Sequence, residues 1–145
     1  MKFIRAFTIF CEYLRMETGG SDTLVGVFPG NINLPKPPPE AELVGVPIHT
    51  YSKVEFSVSS GLPEYCSLTL RYNGSDLFTN IVDRDLLPKE FGAAKEQGLE
   101  KAAIILRTQG QGLAIPTVSG KLQSFLIIDG EEALIGETLL SFVDS

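Results

Sequence analysis

At 145 residues, with 43% apolar and 21% charged positions, the chain has the length of one domain and the composition of an ordinary globular protein. That excludes a disordered chain, a coiled coil and a disulfide-rich mini-protein. Twelve basic residues against eighteen acidic ones leave a net charge of −6, which argues against a nucleic-acid backbone or an anionic membrane as the main partner.

The opening Met1-Lys2-Phe3-Ile4-Arg5 is basic and the residues from Ala6 to Cys11 are mostly apolar, a superficial likeness to an export signal. The apolar stretch is too short, however, and Glu12 stands where a small-residue cleavage site is needed. Bulky Phe10 before Cys11 speaks equally against a lipoprotein cysteine. No apolar run reaches the roughly 18–20 residues of a membrane span, so the expectation is a soluble cytoplasmic protein.

Period-2 alternation over residues 3–13 predicts a strand with Phe3, Phe7, Ile9, Cys11 and Tyr13 facing inward. Its even positions Ile4, Ala6 and Phe10 are apolar too, more than one buried face requires. A homodimer or partner contact through Ile4, Ala6 and Phe10 is therefore expected. Residues 17–22 read as a turn and residues 23–28 as the returning strand of a hairpin. Residues 29–39 hold Pro29, Pro35, Pro37, Pro38 and Pro39. Proline cannot donate to a ladder, so this stretch reads as a loop or extended crossover. Its Pro35-x-x-Pro38 spacing also matches a minimal polyproline ligand.

From Ile48 the alternation puts Ile48, Val54, Phe56 and Val58 inward, with His49, Tyr51, Lys53 and Glu55 outward. In residues 65–72 the inward set is Cys66, Leu68, Leu70 and Tyr72. Asn73-Gly74 then predicts a type I′ turn, which sets Arg71 opposite Asp76, Leu70 opposite Leu77, Leu68 opposite Thr79 and Cys66 opposite Ile81. Leu86, Leu87, Phe91 and Ala94 have helical spacing. Pro88 suits a first turn and Gly98 a stop, giving one short helix over residues 88–97. A strand follows over residues 102–107. A turn spans Thr108-Gln109-Gly110-Gln111-Gly112, and an edge segment over residues 113–118 is interrupted by Pro116. In the last hairpin Leu122, Leu126 and Ile128 face inward before Asp129-Gly130. Leu134, Leu140 and Phe142 face inward after it, and Gly136 marks a bulge or a close approach. The whole predicts a single mainly-β domain over residues 1–145, an antiparallel β-sandwich of eight or nine strands with one short helix inserted. A partly open barrel is the other architecture compatible with the pattern.

The candidates for chemistry are few. The one histidine, His49, falls on the outward parity and reads as solvated rather than as a base beside a nucleophile. Cys11 and Cys66 read as reduced, buried thiols. With one histidine they cannot complete a four-ligand metal site, and no cofactor is expected. Asp83-Arg84-Asp85 leads into the helix, where carboxylates favour the N-terminal dipole. The competing reading is a small metal-dependent hydrolase using Asp83 and Asp85. Glu131 and Glu132 read as solvated, and the loop over residues 17–22 lacks the acidic oxygens calcium prefers. Gly110-x-Gly112 lacks the third glycine of a dinucleotide site, and Asn73-Gly74-Ser75 matches a glycosylation acceptor without an export signal.

The run Cys11-Glu12-Tyr13-Leu14-Arg15-Met16-Glu17-Thr18-Gly19-Gly20, followed by Leu24-Val25-Gly26-Val27-Phe28, resembles a family of uncharacterised bacterial proteins with a Cys-Glu-x-x-Arg-x-Glu-x-Gly opening. Ile127-Ile128-Asp129-Gly130-Glu131 is similar to that family's C-terminal hairpin. The resemblance implies a compact β-sandwich of a domain of unknown function and supplies no catalytic residue. Glu12, Arg15 and Glu17 then have two readings. They fasten the hairpin, with Glu12 bonded to Arg15, or they form a polar recognition patch at one end of the sandwich. The functional expectation is a non-enzymatic binding or assembly module working through a protein partner or self-association, with neither nucleic acid nor membrane as its partner.

Overall fold

The computed structural model describes residues 3–108 and 113–144. Of the predicted turn over residues 108–112, Thr108 instead ends a strand, and residues 109–112 with the Gly110-x-Gly112 spacing lie outside the described residues. In chain order the elements are β1 (Arg5–Met16), β2 (Asp22–Val27), β3 (Asn31–Pro35), β4 (Leu43–Val46), β5 (His49–Ser57), β6 (Cys66–Tyr72), β7 (Ser75–Ile81), α1 (Leu86–Glu96), β8 (Lys101–Thr108), β9 (Leu113–Pro116), β10 (Gly120–Ile128) and β11 (Glu131–Val143). A four-stranded sheet in the order β2-β1-β5-β8 faces a five-stranded sheet in the order β3-β11-β10-β6-β7, and β4 pairs with β9 alone. The chain is mainly β and sandwich-like. No helix among the described residues is long and apolar enough to cross a membrane.

The described residues form eleven strands rather than eight or nine, because short strands occupy stretches that read as connections. The amides of Asn31 to Leu34 remain free to bond, and the proline comes only at the end of β3, so the proline-rich segment contributes a strand after all. It runs parallel to β11, with Leu139 opposite Asn31 and Val143 opposite Pro35. The five-stranded sheet is therefore mixed, which corrects the purely antiparallel expectation.

Both tight turns have the chemistry their sequences call for. Asn73 and Gly74 (φ 50° and 85°) and Asp129 and Gly130 (φ 49° and 84°) are the left-handed pairs of type I′ geometry. Arg71 lies opposite Asp76 as expected, but a bulge then shifts the ladder so that Leu70 meets Phe78, Leu68 meets Asn80 and Ser67 meets Ile81. The predicted pairings of Leu70 with Leu77, Leu68 with Thr79 and Cys66 with Ile81 are thus wrong by one residue. Leu77 is the inserted residue, and it turns onto the core. A second bulge separates Ser124 opposite Gly136 from Phe125 opposite Leu134. Ile135 is the extra residue and packs on the core. Leu134, expected inside, is consequently 48% exposed.

α1 starts two residues before its predicted start, and Pro88 sits in its first turn. Its end is a Schellman closure: the Leu99 amide donates to the Ala94 carbonyl at 2.9 Å and the Gly98 amide to that of Lys95 at 3.1 Å. Leu87, Phe91 and Ala94 are buried, and the Phe91 ring lies 5.6 Å from that of Phe56.

The interior is divided into two apolar clusters. One gathers Val54, Phe56, Leu68, Ile104 and Leu126 with the buried face of α1. The other gathers Phe10, Ile32, Tyr72, Leu122 and Leu140 with Val46 of β4 and Ile115 of β9. Between them the inward positions switch to hydroxyls. Thr8 Oγ1 lies 2.8 Å from both Ser52 Oγ and Ser124 Oγ, so one threonine bridges the two sheets. Gly136 completes this waist, since a Cβ there would fall 2.7 Å from Thr8 Cβ.

Thr8 also identifies the inward parity of β1, which is opposite to the predicted one. Phe10 is buried in the second cluster and Ala6 is packed against the first. Phe7 and Ile9 lie half-buried on the outer side of the sheet. The alternation misleads because the central inward residue is a polar threonine flanked by small Ala6, while the outward row is apolar. A one-residue parity change exchanges the faces of the whole strand.

Candidate functional site

The most distinctive surface is the outer face of the four-stranded sheet where the β1–β2 hairpin leaves it. β1 pairs with β5 as far as Cys11 opposite His49. Beyond that point the Leu14 amide donates to His49 Nδ1 at 3.0 Å, and the Tyr13 ring lies 5.6 Å from the imidazole. His49 is only 7% exposed, so the predicted solvated histidine is a buried acceptor at the bend of β1. Its parity on β5 is outward, but the turning hairpin covers it. The same turn brings Asp22 onto Arg107 of β8, with two bonds of 2.8 Å. The guanidinium holds the Asp22 carboxyl below its usual range, as its hydrogen bond outweighs the cost of burial.

Of the predicted trio, Arg15 and Glu17 come together and Glu12 does not join them. Arg15 Nε donates to Glu17 Oε1 at 2.5 Å and Thr23 Oγ1 donates to the same oxygen at 3.0 Å. These bonds, that of Arg15 first, lower the Glu17 pKa. Glu12 instead lies across β2, its Cδ within 2.7 Å of where a Cβ at Gly26 would be. Gly26 has φ +66°, a conformation open chiefly to glycine, and the missing side chain is the space Glu12 uses. The expected bond between Glu12 and Arg15 is thereby replaced by the pair Arg15–Glu17.

Beside this polar end lies an apolar one. Tyr13 is 52% exposed, Val25 48% and Val27 56%. Tyr13 stands directly opposite Val25 and Cys11 opposite Val27, which puts all three exposed side chains on one face. Phe7, Ile9 and Tyr51 continue that face half-buried. The predicted contact residues fare differently: Ile4 is exposed at 49%, whereas Ala6 and Phe10 point into the sandwich and cannot form a docking face. The strand singled out from sequence does carry an exposed apolar face, on the opposite parity.

The other candidates serve the fold. Cys11 and Cys66 are free and buried, and burial, with the charge of Asp129 as a smaller cause, pushes the Cys66 thiol up to about 12. Asp83 and Asp85 lie exposed before α1, with Asp83 Oδ1 accepting the Asp85 amide at 3.0 Å. Among the described residues no group of three or more His, Cys, Asp or Glu is placed to hold a metal ion. Glu132, read as solvated, takes two bonds of 2.9 and 2.6 Å from Arg71, which also bonds Asp76 at 2.7 Å and lies 4.5 Å over the Phe125 ring. Nothing in the local pattern links Arg71 to Glu132, 61 residues away. A groove of about 370 Å³ runs along Lys36 to Pro39 beside Thr117, Ser119 and Phe142. Its polar groups are already engaged, Ser119 Oγ with the Phe142 amide and Thr117 Oγ1 with the Ala41 carbonyl. The Pro35-x-x-Pro38 motif is fastened at the Lys36 amide to Val143, and Ala41 turns back onto Pro38.

Comparison with protein-family models, with curated proteins and with solved structures finds no match to this chain.

Proposed function

We propose that the chain is a non-enzymatic binding and assembly module whose protein–protein contact is the outer face of the β2-β1-β5-β8 sheet. One observation carries the reading: Tyr13, Val25 and Val27 stand exposed and in register on one face, next to the edge strand β2. Contiguous exposed apolar patches often mark contact sites, and an edge strand adds unpaired backbone groups. The groups suited to chemistry support the same reading because they are committed elsewhere: the His49 imidazole to the Leu14 amide, the Asp83 carboxylate to the Asp85 amide, and the Cys66 thiol to a buried site.

A photo-crosslinking residue at Val27, in cells that make the protein, tests this. Covalent protein adducts are expected at Val27 and not at Ser75 on the far edge of the other sheet. Absence of adducts at Val27, or equal labelling at both positions, would overturn the reading.

A further inference from the structure

We infer that the occupant of this face is a second copy of the chain, packed sheet on sheet about a two-fold axis; this rests on the proposed binding role of the face. Charge distribution is the first argument. The outer face and its rim hold Arg5, Arg15, Lys53, Lys101 and Arg107 against Glu17, Asp22, Glu55 and Glu90, so it is within one charge of neutral by count. The chain as a whole carries twelve basic and eighteen acidic residues. Subtracting these leaves seven against fourteen, so the chain's net negative charge lies off this face. A basic partner would be drawn to the acidic remainder, not here. A second copy is repelled least where its own near-neutral face meets this one.

Three of the face's charged pairs are moreover closed within the chain. Arg15 is bonded to Glu17, Arg107 to Asp22, and Lys53 lies 3.7 Å from Glu55. Such internally neutralised pairs are desolvated at lower cost than free charges, which suits a contact with an identical surface. Area is the third argument. Tyr13, Val25 and Val27, each about half exposed, with half-buried Phe7, Ile9 and Tyr51 make a small apolar patch on each copy, which suits a weak, reversible interface rather than an obligate one. A two-fold contact is self-complementary, and the same patch serves both partners.

Light scattering of purified chain over micromolar to millimolar concentration tests the assignment. The mass is expected to climb from 15.8 kDa toward twice that value, and to do so more readily at higher salt, because screening relieves the repulsion between the acidic remainders. The Val25→Glu/Val27→Glu double variant, at positions exposed enough to spare the fold, is expected to weaken the pair by about tenfold or more. Ile81→Glu on the other sheet, where Ile81 is 73% exposed, should leave it unchanged. Circular dichroism of both variants verifies folding. A wild-type monomer at millimolar concentration, a dimer indifferent to the double variant, or one dissolved by salt would overturn the assignment. Adducts at Val27 to a different protein, with the purified chain monomeric, would sink the second copy while leaving the binding role standing.

Discussion

The core cluster closed by α1 and the one closed by β4 and β9 draw on the same long strands, yet their lids differ. α1 makes its own backbone bonds and contributes Leu87, Phe91 and Ala94 as a preformed apolar stripe. β4 and β9 have only each other, four residues apiece, and an isolated two-stranded ribbon is marginal in water. Val46 and Ile115 are therefore held in place by the core they cover as much as they hold it. A self-supporting lid makes its half the more cooperative one, and the waist at Thr8 decides how far disturbance in one half reaches the other.

The largest test removes a ring from the helix-closed half. Phe56→Ala should cost about 4 kcal/mol, against about 3 kcal/mol for Ile115→Ala in the other half, where the short ribbon can settle into the space. Urea unfolding monitored at neutral pH measures both, and an equal or reversed order would remove the distinction between the lids. Gly136→Ala places a methyl within 2.7 Å of Thr8 Cβ and should cost about 2 kcal/mol by forcing the sheets apart. Hydrogen exchange should quicken in both halves, and quickening confined to one would show that the waist is not shared.

Smaller in effect is Asp22→Asn, which weakens the clamp on Arg107 by about 1 kcal/mol. Because the folded Asp22 pKa is lowered, its contribution is present above the unfolded carboxyl value and is lost as pH falls through the folded one. The variant should accordingly lose less stability on acidification than the parent does, measured by melting temperature from neutral to acid pH. Smallest is the thiol count. Denatured protein without reductant should titrate two thiols, and native Cys66 should react only as fast as the helix-closed half opens.

Much of this architecture was legible from residues alone. The mainly-β sandwich, α1, the type I′ turn at Asn73-Gly74, the turn at Asp129-Gly130, the buried thiols and the strand that presents the candidate face all follow from local patterns. What escaped depended on partners distant in sequence. The inward parity of β1 is set by Thr8 meeting Ser52 and Ser124, which no alternation within residues 3–13 reveals. Gly136 marks the second bulge from sequence, but neither Ile135 beside it nor Leu77 in the first bulge shows locally that it gains burial by breaking the ladder. His49 is covered only because the hairpin turns over it. Glu12 parted from Arg15 because Gly26, on the next strand, left it room.

The parallel pairing of β3 with β11 has a consequence in time. Thr138 Oγ1 donates to the Gly30 carbonyl across 108 positions of chain, so as the protein emerges during synthesis, β3 exists for most of that interval with no strand to lie against. The β1–β2 hairpin needs only its own residues, and β5 joins it soon after. β3 must stay solvated until β11 arrives. Its asparagines and following prolines suit that delay, since they neither pair prematurely with β2 nor invite aggregation. Closure of the mixed sheet is then a late event of high sequence separation, the kind of contact that slows folding.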